Sequence, residues 1–96
     1  MTQLILKSPN NQKLLPLIND ALKNESIKLR LGIERIQTEL KEYEKEFSLN
    51  SETFYKQYQK GKLGDSSEII DWAGKFELLL DIKEEYQSLQ EIEICT

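Results

Sequence analysis

The sequence predicts an all-α fold: an antiparallel, coiled-coil-like hairpin of two long helices with a short helix between them, completed by oligomerisation. Three observations carry that prediction. Apolar residues recur every three or four positions through two long stretches of the 96-residue chain, the period that gathers them on one face of a helix. Residues that stop helices are scarce, with four Gly and two Pro in the whole chain. Two of those glycines, Gly61 and Gly64, stand with Asn50 and Asp65 in one block between the long stretches. That is where a hairpin has to turn.

Residues 1–11 read as an N-terminal arm of a single domain spanning 1–96. Leu4, Ile5 and Leu6 form a short apolar run closed by Ser8-Pro9-Asn10-Asn11. Three apolar residues fit a strand that needs a partner edge, and equally an arm draped over a helix.

The first long helix is expected over about 15–47, starting near Leu15 so that Pro16 falls in the first turn, where its missing N–H does no harm. Leu15, Ile18, Leu22, Glu25, Leu29, Gly32 or Ile33, Ile36, Leu40, Tyr43 and Phe47 then form one stripe. Glu25 interrupts it. Arg30/Glu34 and Arg35/Glu39 lie four residues apart and support a solvated flank. Asn50 is placed to cap a short helix over about 51–60, with Leu49 and Phe54 spaced as a hydrophobic staple. Gly61 falls where a left-handed C-cap is expected. The last helix is expected over about 66–92. Asp65 and Glu68 have capping-box spacing. Ile69, Trp72, Ala73, Phe76, Leu79 or Leu80, Tyr86 and Leu89 continue the stripe, with Lys83 as a polar interruption.

Helices of about 33 and 27 residues would be roughly 50 and 40 Å long at ~1.5 Å per residue, which makes a rod. Ile27, Leu31, Ile70 and Ile82 lie beside the stripes and have no place in a two-helix seam. A second copy would give them one, so the expected assembly is a homo-oligomer, a dimer first. Of the eight aromatic residues, only Tyr86 lies away from the turn region. Large rings there either fill the junction of three helix segments or offer a partner Trp72, Tyr55 and Tyr58 as anchors.

The stretches Gly32-Ile33-Glu34-Arg35, Tyr43-Glu44-Lys45-Glu46-Phe47, Phe54-Tyr55, Gly61-Lys62-Leu63-Gly64-Asp65 and Trp72-Ala73-Gly74 together resemble a family. It is a largely uncharacterised family of short all-helical cyanobacterial and archaeal proteins, some antitoxin-like and encoded beside small toxin-like partners. The resemblance covers roughly residues 29–89. It implies a toxin-neutralising or other accessory subunit. The chain departs from the family pattern at Ile36, where a threonine is expected, and at Lys75, where an acid is expected.

Composition narrows the function. The chain has no histidine, 13 Lys plus Arg, 17 Asp plus Glu, and a net charge of −4. Lack of histidine removes the commonest general base and zinc ligand. The net charge disfavours direct nucleic-acid binding and anionic membrane surfaces. Gly61-Lys62-Leu63-Gly64-Asp65 lacks the glycine pattern and the Lys-Ser/Thr ending of a phosphate loop. Glu39, Glu42 and Glu46, or Asp81, Glu84 and Glu85, are spaced as in a helical metal site, but such sites add histidines at helical spacing. Asp65, Glu68 and Asp71 offer oxygen ligands for Mg²⁺, although capping already explains the first two. Cys95, the single cysteine, has no sequence-neighbouring base. The expectation is therefore no enzyme, no cofactor, no metal and no catalytic residue, in a cytoplasmic protein.

Charge is unevenly spread. Residues 1–50 carry eight basic and seven acidic side chains, whereas residues 77–96 carry six acids against Lys83 alone. An acidic terminal helix suits a basic partner. The functional expectation is a non-catalytic protein–protein interaction subunit, antitoxin-like, neutralising a basic partner such as a small toxin. A scaffolding homo-oligomer without a toxin is the alternative. Candidate partner-binding residues are Trp72, Tyr55, Tyr58, Asp81, Glu84 and Glu85.

Overall fold

A computed structural model describes residues 11–94, with side chains described from 14 to 92. The Leu4–Leu6 run, Ser8 and Cys95 lie outside the described residues. Within them the chain forms α1 (Asn11–Phe47), α2 (Ser51–Gln59) and α3 (Ser67–Ile94). Two long helices and a short intervening one make the all-α hairpin that the periodicity predicts. Its extents are 59 × 23 × 21 Å with a radius of gyration of 18.7 Å, against about 13 Å for a compact domain of this size. The molecule is a rod.

The α1–α3 seam sets the register. Tyr43 meets Asp71, Glu39 meets Lys75, and Ser26 meets Gln90, so the two helices run antiparallel along the rod. α1 contributes Ile18, Leu22, Ser26, Leu29, Ile33, Ile36, Leu40 and Tyr43, all buried or half-buried. Successive steps of three and four keep these positions on one stripe as the helix turns. Ser26, not the expected Glu25, occupies the seam, because stepping four from Leu22 and three to Leu29 lands there. Glu25 stays in water and avoids desolvating a carboxylate. On α3 the seam uses Ile69, Trp72, Ala73, Phe76, Leu79, Ile82 and Tyr86. Ile82 packs against the core and leaves Lys83 exposed, while Leu80 is turned outward.

The helix ends show how sequence fixes the turns. α1 is already helical at Asn11, the first described residue and ahead of the expected Leu15, so Pro16 lies inside the helix on an exposed face. Having no N–H, Pro16 leaves the Gln12 carbonyl without its usual donor. α1 stops at Ser48, whose φ of 51° is left-handed, and Leu49 N–H donates to the Glu44 carbonyl at 3.1 Å. Asn50 caps α2 as expected, its Oδ1 accepting from Thr53 N–H at 2.8 Å. Leu49 and Phe54 both pack into the core, closing the staple. At the far end Gly61 has φ 72° and its N–H donates to the Tyr58 carbonyl, while Lys62 N–H donates to the Gln57 carbonyl. This is the paired bonding of a Schellman stop. α3 is capped one residue later than the spacing suggested. Ser66 Oγ accepts from Ile69 N–H at 3.3 Å, and Asp65 stays in the connector, where the left-handed Gly64 has turned the backbone.

The core is polarised. Its buried apolar residues are Ile36, Leu40, Phe54, Ile69, Trp72, Ala73, Phe76 and Leu79, all toward the end closed by α2. Toward the open end Ile18, Leu22, Leu29 and Leu89 are only half-buried, and the buried residue there is Ser26, which accepts from Gln90 Nε2 at 2.9 Å. Hydrophobic stabilisation scales with apolar area removed from water. The closed end therefore holds the fold, and the open end is the part free to open.

Candidate functional site

Trp72 organises the closed end. It is 0% exposed and stacks on Phe54 with ring centroids 3.7 Å apart and planes within 6°. Tyr43 and Phe47 flank it at 5.5 and 5.4 Å. A buried indole N–H needs an acceptor, and Trp72 Nε1 donates to Ser51 Oγ at 2.9 Å. The Ser51 backbone N–H in turn donates to Glu44 Oε2 at 2.9 Å. One chain of hydrogen bonds thus joins all three helices. Trp72 is accordingly a core residue. The sequence-derived placement of it among partner anchors is corrected, since no atom of it is open to a partner.

Tyr55 and Tyr58 of α2 are half-buried and pack against the edge of the core. Their rings lie 6.0 Å apart, Tyr58 stacks on Phe54, and Tyr55 tilts against Phe76 at 5.1 Å. Tyr55 Oη–H donates to Glu77 Oε2 at 2.6 Å. That bond to a carboxylate, reinforced by desolvation and by the Glu77 charge, holds the phenol above its usual pKa.

A second polar cluster closes the seam beside Trp72. Tyr43 Oη–H donates to Asp71 Oδ2, and Lys75 Nζ bridges Asp71 at 3.1 Å and Glu39 at 3.6 Å. The Lys75 ammonium also lies 5.6 Å from the Tyr43 ring centroid. The bonds from Tyr43 and Lys75 hold the Asp71 carboxyl below its usual pKa. The bond to Asp71 raises Tyr43, and the same carboxylate raises Lys75. A phenol held in its protonated form and a lysine held in its charged form are both poor nucleophiles. This cluster clamps α1 to α3.

The acidic candidates gather elsewhere. Asp81, Glu84 and Glu85 of α3 line one groove beside the seam together with Glu25 of α1, over a strip formed by Leu29 and Leu89, with Ser88 completing the wall. All four carboxylates are exposed, both leucines are half-buried, and no cation stands in the lining. Sequence reading found the three α3 acids but not Glu25, Leu29 and Leu89. The missing signal was register: only the antiparallel pairing of Ser26 with Gln90 brings Glu25 and Leu29 opposite the end of α3. The six expected residues therefore do not form one site. Tyr55 and Tyr58 lie at the closed end, Trp72 is inside, and the acids lie toward the open end.

Among the described residues no group of three or more His, Cys, Asp or Glu side chains is arranged to hold a metal ion. Among them, too, no helix is long and apolar enough to cross a membrane. Searches against protein-family models, curated proteins and solved structures find no match to this chain. Ile36 and Lys75 each have a local role in this fold. Ile36 is 4% exposed in the core, where a threonine would bring a hydroxyl, and Lys75 is the cation of the Tyr43–Asp71 clamp.

Proposed function

We infer that the chain is a non-catalytic protein–protein interaction subunit whose acidic groove receives a basic segment of a partner protein, in the manner of an antitoxin covering a cationic toxin. The observation that carries this reading is the convergence of Glu25, Asp81, Glu84 and Glu85, from two helices, on the apolar strip of Leu29 and Leu89. An apolar floor supplies contact area, and an unneutralised acidic rim supplies selectivity and faster encounter with a cationic surface. The closed-end core supports the same reading, because it folds the rod without using the groove.

Co-expression with the product of the adjacent gene is the test. The reading expects a small basic protein that co-purifies with this chain, an affinity that falls as salt rises, and at least a tenfold loss on Glu84→Lys/Glu85→Lys. Those two side chains are exposed, so the variant keeps its fold. A neighbour that does not bind, or that binds the charge-reversed variant equally well, overturns the reading.

A further inference from the structure

The rod is grooved on both sides of the α1–α3 seam, and the two flanks carry opposite charge. On a helix, the residue just before a seam position turns to one side and the residue just after it to the other. About Ser26 these are Glu25 and Ile27, and about Leu40 they are Glu39 and Lys41. The first side holds the Glu25, Asp81, Glu84 and Glu85 groove and, nearer the closed end, a groove rimmed by Glu39, Glu42 and Glu46. The other side holds a groove formed by Lys23, Ile27, Arg30 and Tyr86. Below it lies one in which Lys41 and Lys83 stand over Leu40, Leu79 and Leu80.

The opposite charges stand at matching heights. Lys23 is close in sequence to Glu25, Lys41 to Glu42, and Lys83 to Asp81 and Glu84. At ~1.5 Å per residue, each cation lies within about 3 Å, along the axis, of an acid on the other flank. The exceptions coincide too. Arg35, just before the seam residue Ile36, belongs to the acidic flank, and Glu34, just after Ile33, belongs to the basic one. Other flank charges are engaged within the chain: Lys75 bridges Asp71 and Glu39, Arg30 meets Glu34 at 3.9 Å, and Glu44 accepts from Ser51 N–H. Glu52 also stands beside the Lys41–Lys83 groove. Apolar side chains match in the same way. Ile27 and Leu80 are 46% and 48% exposed on the basic flank, level with Leu29 and with the 48% exposed Leu78 on the acidic one.

We propose that copies of this chain stack side by side, pointing the same way, with the basic flank of each seated on the acidic flank of the next. The contact is heterologous, so a pair still presents one flank of each charge and adds further copies until a ring closes or an open stack forms. A twofold dimer would use one flank twice and set like charges together. A single exposed ion pair contributes little. The association therefore depends on several pairs acting together around the Ile27 and Leu80 contacts, and it weakens as salt screens them. The two uses of the acidic flank exclude each other: a basic partner held in the Asp81 groove displaces the neighbouring copy. That exclusion alone rests on the proposed function.

Sedimentation equilibrium of the full chain gives the first readout. At low salt the average mass should climb with concentration past twice the 11.3 kDa chain mass, and at high salt it should return to that of one chain. Lys41→Glu/Lys83→Glu on one flank and Glu84→Lys/Glu85→Lys on the other should each weaken association at least tenfold. All four side chains are exposed, so helical circular dichroism is kept. Mixing the two variants should restore association, because the intact acidic flank of the first fits the intact basic flank of the second. A mass of 11.3 kDa throughout, an assembly indifferent to Lys41→Glu/Lys83→Glu, or a mixture that stays dissociated overturns the proposal. Lys41→Glu/Lys83→Glu leaves the acidic groove whole, so co-purification with the basic partner is scored on that variant with stacking removed. Either idea can then fail without the other.

Discussion

Replacing Trp72 by alanine should remove more stability than any other single truncation. The indole is 0% exposed. A buried Trp removes on the order of 200 Å² from water, worth about 5 kcal/mol at ~25 cal/mol per Å². Large-to-small core changes of this kind measure about 3–5 kcal/mol, because neighbours collapse only partly into the space. Here Phe54, Tyr43 and Phe47 all lose a stacking partner, and the Ser51 hydroxyl loses the donor that tied α2 to α3. A chain of this length has about 5–14 kcal/mol in all, and this rod has only a short core. Urea denaturation followed by far-ultraviolet circular dichroism should give a loss of about 3–5 kcal/mol for Trp72→Ala. Trp72→Phe, which keeps an apolar ring but drops the bond to Ser51, should lose about 1–2 kcal/mol. A Trp72→Ala protein that unfolds cooperatively with a loss below about 1 kcal/mol would refute the placement of the core at the closed end.

Glycine positions should split by backbone conformation. Gly32→Ala should stabilise by about 0.5–1 kcal/mol, since the added Cβ meets nothing. Gly61→Ala should destabilise by a similar amount, because φ 72° is strained for a side chain, and thermal unfolding of the two variants reads both signs. The clamp should narrow the pH range of stability from both sides. Asp71 is lowered, so its contribution is present above about pH 4 and is lost as pH falls through its folded value. Tyr43 and Lys75 are raised, so theirs is present below about pH 10 and is lost as pH rises. Tyr43→Phe should flatten both limbs of a stability-against-pH curve, more clearly at low salt because the groups are solvated.

Much of the fold was legible because the physics that sets it is local. The 3.6-residue spacing of Ile36, Leu40 and Tyr43, the Asn50 cap with its Leu49–Phe54 staple, and the Gly61 stop each act within a few residues. What escaped was set by exact backbone geometry at a turn or by partners far along the chain. Ser26 replaces Glu25 in the seam because the steps from Leu22 to Leu29 land on it, and Gln90 then satisfies its buried hydroxyl. Ser66 replaces Asp65 as the cap because of how Gly64 turns the backbone. By sequence Trp72 fitted either a core junction or an interface anchor, and the converging rings of Tyr43, Phe47 and Phe54 decide for the core. The acids of α3 were visible as a charge run. Their groove was not, because Glu25 and Leu29, which complete it, come from α1 some sixty positions earlier.

The central claim is a division of labour along the rod, with the fold secured at the closed end and binding done toward the open one. Amide hydrogen exchange, measured on the chain alone and with the adjacent gene's product bound, tests it most directly. Exchange in the free chain should be slowest from Ile33 to Tyr43 and from Ile69 to Leu79, and fast before Ser26 and after Tyr86. Partner binding should slow exchange around Leu22–Arg30 and Asp81–Gln90 and leave the closed end unchanged. Uniform protection in the free chain, or a partner that protects α2 around Tyr55 and Tyr58 instead, would contradict it.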